Sequence, residues 1–203
     1  MTSRFVKIID KLPACDVIAE VGCDHAKLTE LAYSLGKCRK AIVSDISSAC
    51  LDKARKTLVR YPQTEYYVCD GIPDAARSAD FIIICGMGGH LIRDIISRYG
   101  GTAGLLLGPQ SHAETVRREL GVIGYAVTED ECFKADGKFY DVLVAVRGKQ
   151  TLTEMQLEFG MNWKECGGAL REKLAIRLAN LEKGGERTRV EADRIREVLG
   201  CRK

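Results

Sequence analysis

Ala19-Glu20-Val21-Gly22-Cys23-Asp24-His25-Ala26, directly after Val17-Ile18, is the stretch whose reading decides the fold. It reads as a first strand ending on an acidic residue, a tight glycine turn, and the start of a helix. A doubly wound sheet presents its ligand in this way, at the carboxyl ends of its strands. Working outward, a second apolar strand, Ala41-Ile42-Val43, ends at Ser44-Asp45. A third, Glu65 to Cys69, ends at Asp70-Gly71, and a fourth, Phe81 to Cys85, ends at Gly86-Met87-Gly88-Gly89. One small or acidic residue at a strand end says little, but four in succession form a pattern.

The rest of the chain fits the same alternation. A short amphipathic helix is predicted over Arg4–Leu12, with Phe5, Ile8, Ile9 and Leu12 on one face and Pro13 ending it. Helices are expected over Ala26–Leu35, Ser47–Arg60, His90–Arg98 and Ser111–Gly121, and a fifth strand over Gly104–Leu107. Ser47 is placed to cap its helix, and Ser111 with Glu114 reads as a capping box. The continuous apolar run Phe81-Ile82-Ile83-Ile84-Cys85 fits a parallel strand covered on both faces. Two further strands, Tyr125–Cys132 and Phe139–Val146, flank Asp136-Gly137, a strong hairpin signal. A β/α alternation closed by a hairpin is how class I methyltransferase sheets finish; a dinucleotide dehydrogenase domain normally lacks it. After Arg147-Gly148-Lys149 only helical pattern remains, over Thr151–Phe159, Lys164–Lys183 and Arg187–Leu199, with Gly184-Gly185 between the last two. The expected fold is therefore α/β, a Rossmann-like sheet over residues 1–149. An antiparallel, coiled-coil-like helical hairpin over 150–203 would follow, its apolar stripe packed on itself.

Composition narrows the class. With 203 residues, 46% hydrophobic and 29% charged, the chain reads as one globular domain plus an appendage. No apolar run approaches the roughly 20 residues that cross a bilayer, and Met1-Thr2-Ser3-Arg4-Phe5 begins no secretory signal, so a cytoplasmic protein without membrane contact is expected. Nine cysteines without any Cys-x-x-Cys spacing point to reduced thiols, and three scattered histidines argue against a metal site. The net charge of +3 is modest; residues 1–148 are balanced and the basic excess falls in 149–203.

Charge and size at the strand ends match S-adenosylmethionine. Asp45 suits a ribose diol, with Ile46 as an apolar surface for adenine and Asp70, beside Gly71, for its exocyclic amine. Gly22 and Cys23 let the backbone approach the ligand, while Glu20, Asp24 and His25 border the methionyl end, where a carboxylate attracts the ammonium. A pyrophosphate-binding turn would carry three glycines rather than Gly22-Cys23-Asp24-His25, and Asp24 would repel it. At the fourth strand the chain lacks the Asn/Asp-Pro-Pro-Tyr/Phe of enzymes that methylate exocyclic amines. A glycine loop, Gly86-Met87-Gly88, fits a ring nitrogen whose lone pair is already available. Such a transfer needs alignment, here by Gly86, Met87, Gly88, Gln110 and Asp24, more than a general base. Tyr140, Met87 and Pro109 are candidates for the wall against the acceptor base.

Gly22-Cys23-Asp24-His25-Ala26, Asp70-Gly71, Gly86-Met87-Gly88-Gly89-His90-Leu91-Ile92 and Asp136-Gly137-Lys138-Phe139-Tyr140-Asp141 together resemble the bacterial tRNA (adenine-22-N1)-methyltransferase family. The similarity continues through Leu152-Thr153-Glu154 and Glu158-Phe159-Gly160 into the tail. The resemblance implies methyl transfer from S-adenosylmethionine to N1 of the adenosine at tRNA position 22, the target being extruded from pairing. For the chain itself a monomer is favoured, with self-association of the tail left open. It also implies tRNA contacts from the tail, for which Lys164, Arg171, Lys173, Arg177, Arg187 and Arg189 are candidates. The chain departs from the family pattern in three places: Glu20 for an aspartate, Gly108-Pro109-Gln110 for Gln-Pro-Asn, and Met161 for the proline after Phe159-Gly160. A methyltransferase with another acceptor, or a silent cofactor-binding module, remains an alternative at this point.

Overall fold

The computed structural model describes residues 3–165, 167–183 and 188–200. Its sheet has seven strands, β1 (Val17–Val21), β2 (Lys40–Asp45), β3 (Thr64–Val68), β4 (Phe81–Met87), β5 (Gly104–Pro109), β6 (Tyr125–Ala135) and β7 (Lys138–Arg147). Their order is β3-β2-β1-β4-β5-β7-β6. β1 to β5 are parallel, whereas β7 inserts antiparallel between β5 and β6. Helices α1 (Ser3–Asp10), α2 (Lys27–Ser34), α3 (Ser48–Thr57), α4 (Gly89–Ser97) and α5 (Ala113–Val122) cover the faces.

Side-chain alternation divides the core. Ile83 and Leu106 face α1, α2 and α3, alongside Ile18, Leu28, Leu31 and Leu51. Ile82, Ile84, Leu105 and Leu107 face the other way, among Ile92, Ile96, Val116 and Leu120 of α4 and α5. A strand with apolar residues at consecutive positions can serve both layers, which is why the unbroken run at 81–85 becomes a central strand. The hairpin turns at Asp136 and Gly137, both with positive φ (50° and 75°), as a two-residue turn between twisted strands requires.

Two local expectations resolve differently. Ser47 Oγ accepts from Cys50 N at 3.4 Å and caps α3 as its position suggests. The capping box at Ser111 and Glu114 does not form: His112 is the N-cap of α5 in a left-handed conformation, with no side-chain cap. The Ser111 carbonyl instead accepts from Gly89 N at 2.8 Å, so this turn is shaped by the start of α4 rather than by its own helix.

Beyond β7 lie α6 (Glu154–Phe159), α7 (Gly168–Leu181) and α8 (Arg189–Leu199). Thr153 and Gln156 form a capping box at the start of α6. α7 and α8 share a small core of Phe159, Leu174, Ile195, Val198 and Leu199, and Arg177–Glu191 and Arg196–Glu182 pairs (2.6 and 2.7 Å) join them. The expected turn at Gly184-Gly185 lies outside the described residues.

A buried ion pair ties this helical segment to the sheet. Arg117 of α5 and Asp130 of β6 are 4% and 2% exposed and bonded in a fork, Nε to Oδ2 at 2.8 Å and Nη2 to Oδ1 at 2.9 Å. Arg117 Nη1 also donates to the Leu157 carbonyl at 3.1 Å, and Met161 N donates to Asp130 Oδ2 at 2.9 Å. Met161 stands where the resembled family carries proline, a residue with no N–H to give. Removing one partner of a buried pair strands the other, so Arg117→Ala is expected to cost about 3–5 kcal/mol in denaturant unfolding. Met161→Pro, losing one charge-assisted bond, is expected to cost about 1–3 kcal/mol. Because Trp163, the one tryptophan, packs in the tail core, the emission shift of either variant reports on the same junction.

Candidate active site at the carboxyl edge of the sheet

β1 sits between β2 and β4, so the direction of winding reverses at its carboxyl end, and a crevice opens there. The turn that follows is unusual in its backbone. Gly22, Asp24 and Ala26 all have positive φ, at 68°, 44° and 49°. Only the first is a glycine, so hydrogen bonds hold the other two: Ala26 N donates to the Cys23 carbonyl at 2.6 Å within the turn, and the residues before it are tied to β2. Gly22 N and Cys23 N both donate to the Ser44 carbonyl (2.8 and 3.1 Å), and Asp24 N donates to Asp45 Oδ2 at 3.1 Å. Asp45 Oδ1 accepts from Ser47 N at 2.9 Å, and the Asp45 carbonyl accepts from Cys69 N at 3.1 Å. One residue pair thus ties the ends of β1, β2 and β3 together.

Next to this turn lies a cavity of about 330 Å³. Its wall brings together Glu20, Gly22, Cys23, Asp24 and His25 from the first turn, and Gly86 and Gln110 from the ends of β4 and β5. Residues that the sequence reading did not assign complete it: Arg4, Phe5 and Ile8 of α1, Lys27 and Leu28 of α2, and Asp141 of β7. Tyr140, a candidate for the base wall, also lines it. Asp45, Ile46, Asp70, Gly71, Met87 and Gly88 do not line this cavity. Ile46 is 73% exposed, an apolar ledge just beyond Asp45, and Asp70 is a surface carboxylate 3.5 Å from Arg98. The Ser44 hydroxyl reaches the Gly71 carbonyl at 3.2 Å. Pro109 is buried at the end of β5 and forms no wall.

The loop after β4 is shaped by a bulge. Pairing with β5 shifts register between Cys85 and Met87, and Gly86 takes φ 83°, which a side chain would strain. Gln110 N then donates to the Met87 carbonyl at 2.8 Å, fixing the amide side chain beside the bulge. Met87 turns toward the first turn: a Cβ on Gly22 would lie 1.8 Å from Met87 Cε. The positive φ of Gly22, more than this flexible methionine tip, is what calls for glycine there.

Charge within the site is sorted by burial. Glu20 is buried, and its Oε2 accepts from Thr29 N (3.0 Å) and Thr29 Oγ1 (2.5 Å) of α2. Burial pushes its carboxyl up to about 7, the Thr29 bonds only partly opposing this. Its extra methylene, relative to the aspartate of the resembled family, carries the carboxyl to Thr29 in the first turn of α2. Asp24 is exposed and held below the usual carboxylate range by Lys53, whose Nζ lies at 3.1 Å. Burial raises the Cys23 and Cys85 thiols, so both are neutral and neither supplies a thiolate nucleophile. Among the described residues, no group of three histidine, cysteine or acidic side chains is placed to hold a metal ion, and no helix is long and apolar enough to cross a membrane.

The tail candidates separate. Lys173 Nζ is 2.5 Å from Asp141, and Arg177 is paired with Glu191, so both already have carboxylate partners. Lys164, Arg171 and Arg189 are exposed and have no carboxylate within ion-pair distance among the described residues. Arg187 lies outside the described residues.

A parallel sheet that ends in an inserted antiparallel hairpin, with an acidic glycine turn at its reversal point, defines a Rossmann-like methyltransferase domain. The profile of the family described as methyltransferase domain matches residues 1–143, and the chain belongs to that family. The chain is 30% identical over 156 residues to the tRNA (adenine(22)-N(1))-methyltransferase of Bacillus subtilis (strain 168), an alignment covering 73% of this chain and 66% of that protein. Among solved structures it is similar to the Bacillus subtilis M1A22 tRNA methyltransferase TrmK (TM-score 0.86, 24% identity, 98% of each chain). It is also similar to M. capricolum TrmK in complex with the cofactor product S-adenosyl-homocysteine (TM-score 0.88, 18% identity, 100% of this chain and 99% of that one). At these identities the structural likeness shows the fold.

Glu20 gives the site a pH signature. Its folded value of about 7 lies above the 4.5 of an exposed glutamate, so its neutral form stabilises the fold fully below about pH 4.5. That contribution is lost as pH rises through 7. Thermal melts of the wild type between pH 5 and pH 8 are expected to fall more steeply with pH than those of Glu20→Gln; parallel curves would refute the assignment.

Proposed function

We propose that this chain transfers a methyl group from S-adenosylmethionine to N1 of an adenosine in tRNA, at position 22 as in the relative it matches. The observation that carries the reading is the strand-end constellation: Glu20 and Asp24 about the Gly22 turn, with Asp45 and the exposed Ile46 on the adjoining strand end. These residues fit the cofactor. The cavity offers the carboxyls of Asp24 and Glu20 to an ammonium, Asp45 has lone pairs left after its two amide bonds, and Gly22 puts no side chain of its own between its backbone and a ligand. Bound there, S-adenosylmethionine supplies an electrophilic sulfonium methyl.

The chain's own residues would then act by position. Gly86 and Gln110 form the far wall of the cavity, where a flat acceptor can lie along a glycine backbone and meet the Gln110 amide. Asp24 is ionised, but it is exposed and paired with Lys53, which suits attraction of a cation rather than abstraction of a proton. The ring-nitrogen lone pair of the acceptor needs no base to form its bond, so alignment is the main demand on the protein. Residues 1–149 would carry the chemistry and residues 150–203 would help hold tRNA in the cytoplasm, Lys164, Arg171 and Arg189 being the tail cations placed for phosphates.

Two measurements test this. Labelled S-adenosylmethionine and bulk bacterial tRNA should yield label in 1-methyladenosine on nucleoside analysis; label in another nucleoside would move the acceptor, and none on tRNA would remove it. Asp45→Ala is expected to weaken S-adenosylhomocysteine binding by about 100-fold, since it loses charge-assisted bonds to ligand and turn. The pair of reversals Arg171→Glu and Arg189→Glu should leave that binding unchanged. The same pair should weaken tRNA binding and flatten its salt dependence; unaltered tRNA affinity at physiological salt would sink the tail assignment.

A further inference from the structure

His90 and His112 stack on each other, with ring centroids 4.4 Å apart and planes at 35°. Both residues are exposed, and neither imidazole has a hydrogen-bond partner among the described residues. The two rings come from different elements: His90 stands in the first turn of α4, and His112 is the N-cap of α5. Their meeting is built by the backbone beneath them. Gly89 N donates to the Ser111 carbonyl at 2.8 Å. A Cβ on Gly89 would lie 2.5 Å from that same oxygen and closer still to the carbonyl of His112. No side chain fits between these backbones, so glycine at 89 is what lets the two helix starts touch. His112 itself is held in the left-handed region (φ 52°, ψ 46°), which is costly for a residue with a side chain. Its carbonyl accepts from Thr115 N and Oγ1 at 3.1 and 2.9 Å, but its side chain makes no capping bond. The strained residue thus serves its helix through the backbone and leaves the ring to His90.

The pair stands on the acceptor side of the cavity. His90 follows the bulge at Gly86, and His112 follows Gln110, the two residues of the far wall. The bond from Gln110 N to the Met87 carbonyl (2.8 Å) joins the same two loops. Two imidazoles stacked on each other offer a π surface rather than converging nitrogens, and among the described residues no group of three ligands is placed for a metal. The chemistry that answers an exposed aromatic surface beside an RNA acceptor is an unpaired nucleobase, because splayed bases stack on side chains of this kind. An adenosine drawn out to expose N1 also leaves its neighbours with an open face. We propose that His90 and His112 form a stacking platform for a nucleobase adjoining the target adenosine, replacing the partner that extrusion removes. This rests on the acceptor reading above and deepens it, since that reading gave the target's neighbours no seat on the protein.

The test measures tRNA methylation by His90→Ala and His112→Ala, with His90→Phe and His112→Phe as conservative partners. Loss of a ring should raise KM for tRNA by about 10- to 100-fold, the range of one base–aromatic stack, with kcat nearly unchanged. Binding of S-adenosylhomocysteine should stay at the wild-type level. Phenylalanine should restore KM, because stacking needs a π face and no proton. A tRNA made abasic on one side of the target should lose the same factor with the wild type and nothing further with His90→Ala. Only a shared contact produces that non-additivity. His90→Ala leaves the left-handed residue untouched, so it carries the test if His112→Ala fails to fold. An unchanged KM would reduce the pair to packing on itself, and no rescue by phenylalanine would give the rings to phosphates or to a hydrogen bond. A fall in kcat alone would place them at the reacting base, and additive abasic losses on both sides would remove the neighbour. Each of these results overturns the proposal. Wild-type protein that methylates no tRNA would defeat the acceptor reading itself, a result separate from all of them.

Discussion

The carbonyl of Ser44 and the carboxylate of Asp45 hold the turn after β1 in a shape it would not keep alone. Two non-glycine residues, Asp24 and Ala26, sit there in left-handed conformations that each cost about 1–2 kcal/mol. Three amides donated to β2 offset that cost. The consequence spreads in both directions. Toward the core, the turn sets where α2 begins and so lets Glu20 meet Thr29. Toward solvent, it sets the floor of the cavity on which Arg4, Gly86 and Gln110 close. Asp45 is thus a structural support and a candidate ligand at once, and its two oxygens divide that work between neighbouring loops.

The far end of the molecule depends on a different device. Arg117 and Asp130 form a buried fork whose spare donors and acceptors are met by Leu157 and Met161, the two sides of the passage from sheet to tail. Next to it, Asp141 lines the cavity and also receives Lys173 of α7. A single carboxylate on β7 therefore touches both the candidate chemistry and the helical segment proposed to grip the substrate.

Much of this architecture was legible because it rests on local periodicity. The strand ends, the hairpin at Asp136-Gly137 and the Ser47 cap depend on neighbouring residues, and sequence spacing reports on neighbours. Glu20, Asp24, His25, Gly86 and Gln110 converge for the same reason, each standing at a strand end or the turn just past it. What was hidden is long-range. Arg4 meets Tyr140, and Arg117 meets Asp130 and Leu157, through tertiary packing that spacing does not encode. One signal was available: a cation at position 4 falls on the stripe of Ile8 and Leu12, where an apolar residue is expected. Ser111 misled for the converse reason, because a local capping pattern lost its turn to Gly89 at the start of α4. Lys173 and Arg177 read as free basic residues since their carboxylate partners come from β7 and α8.

Met87 changes what occupancy of the crevice means. Its terminal methyl rests against Gly22, so the seat over that glycine is already held by a side chain of the protein. Anything that lies there arrives by exchange, and its measured affinity is the difference between two contacts rather than the strength of one. A thioether on three rotatable bonds is suited to that traffic, because it can swing aside without moving the backbone bulge that carries it. The glycine and the methionine meet across the neighbouring ends of β1 and β4, so a change at either is felt at the other.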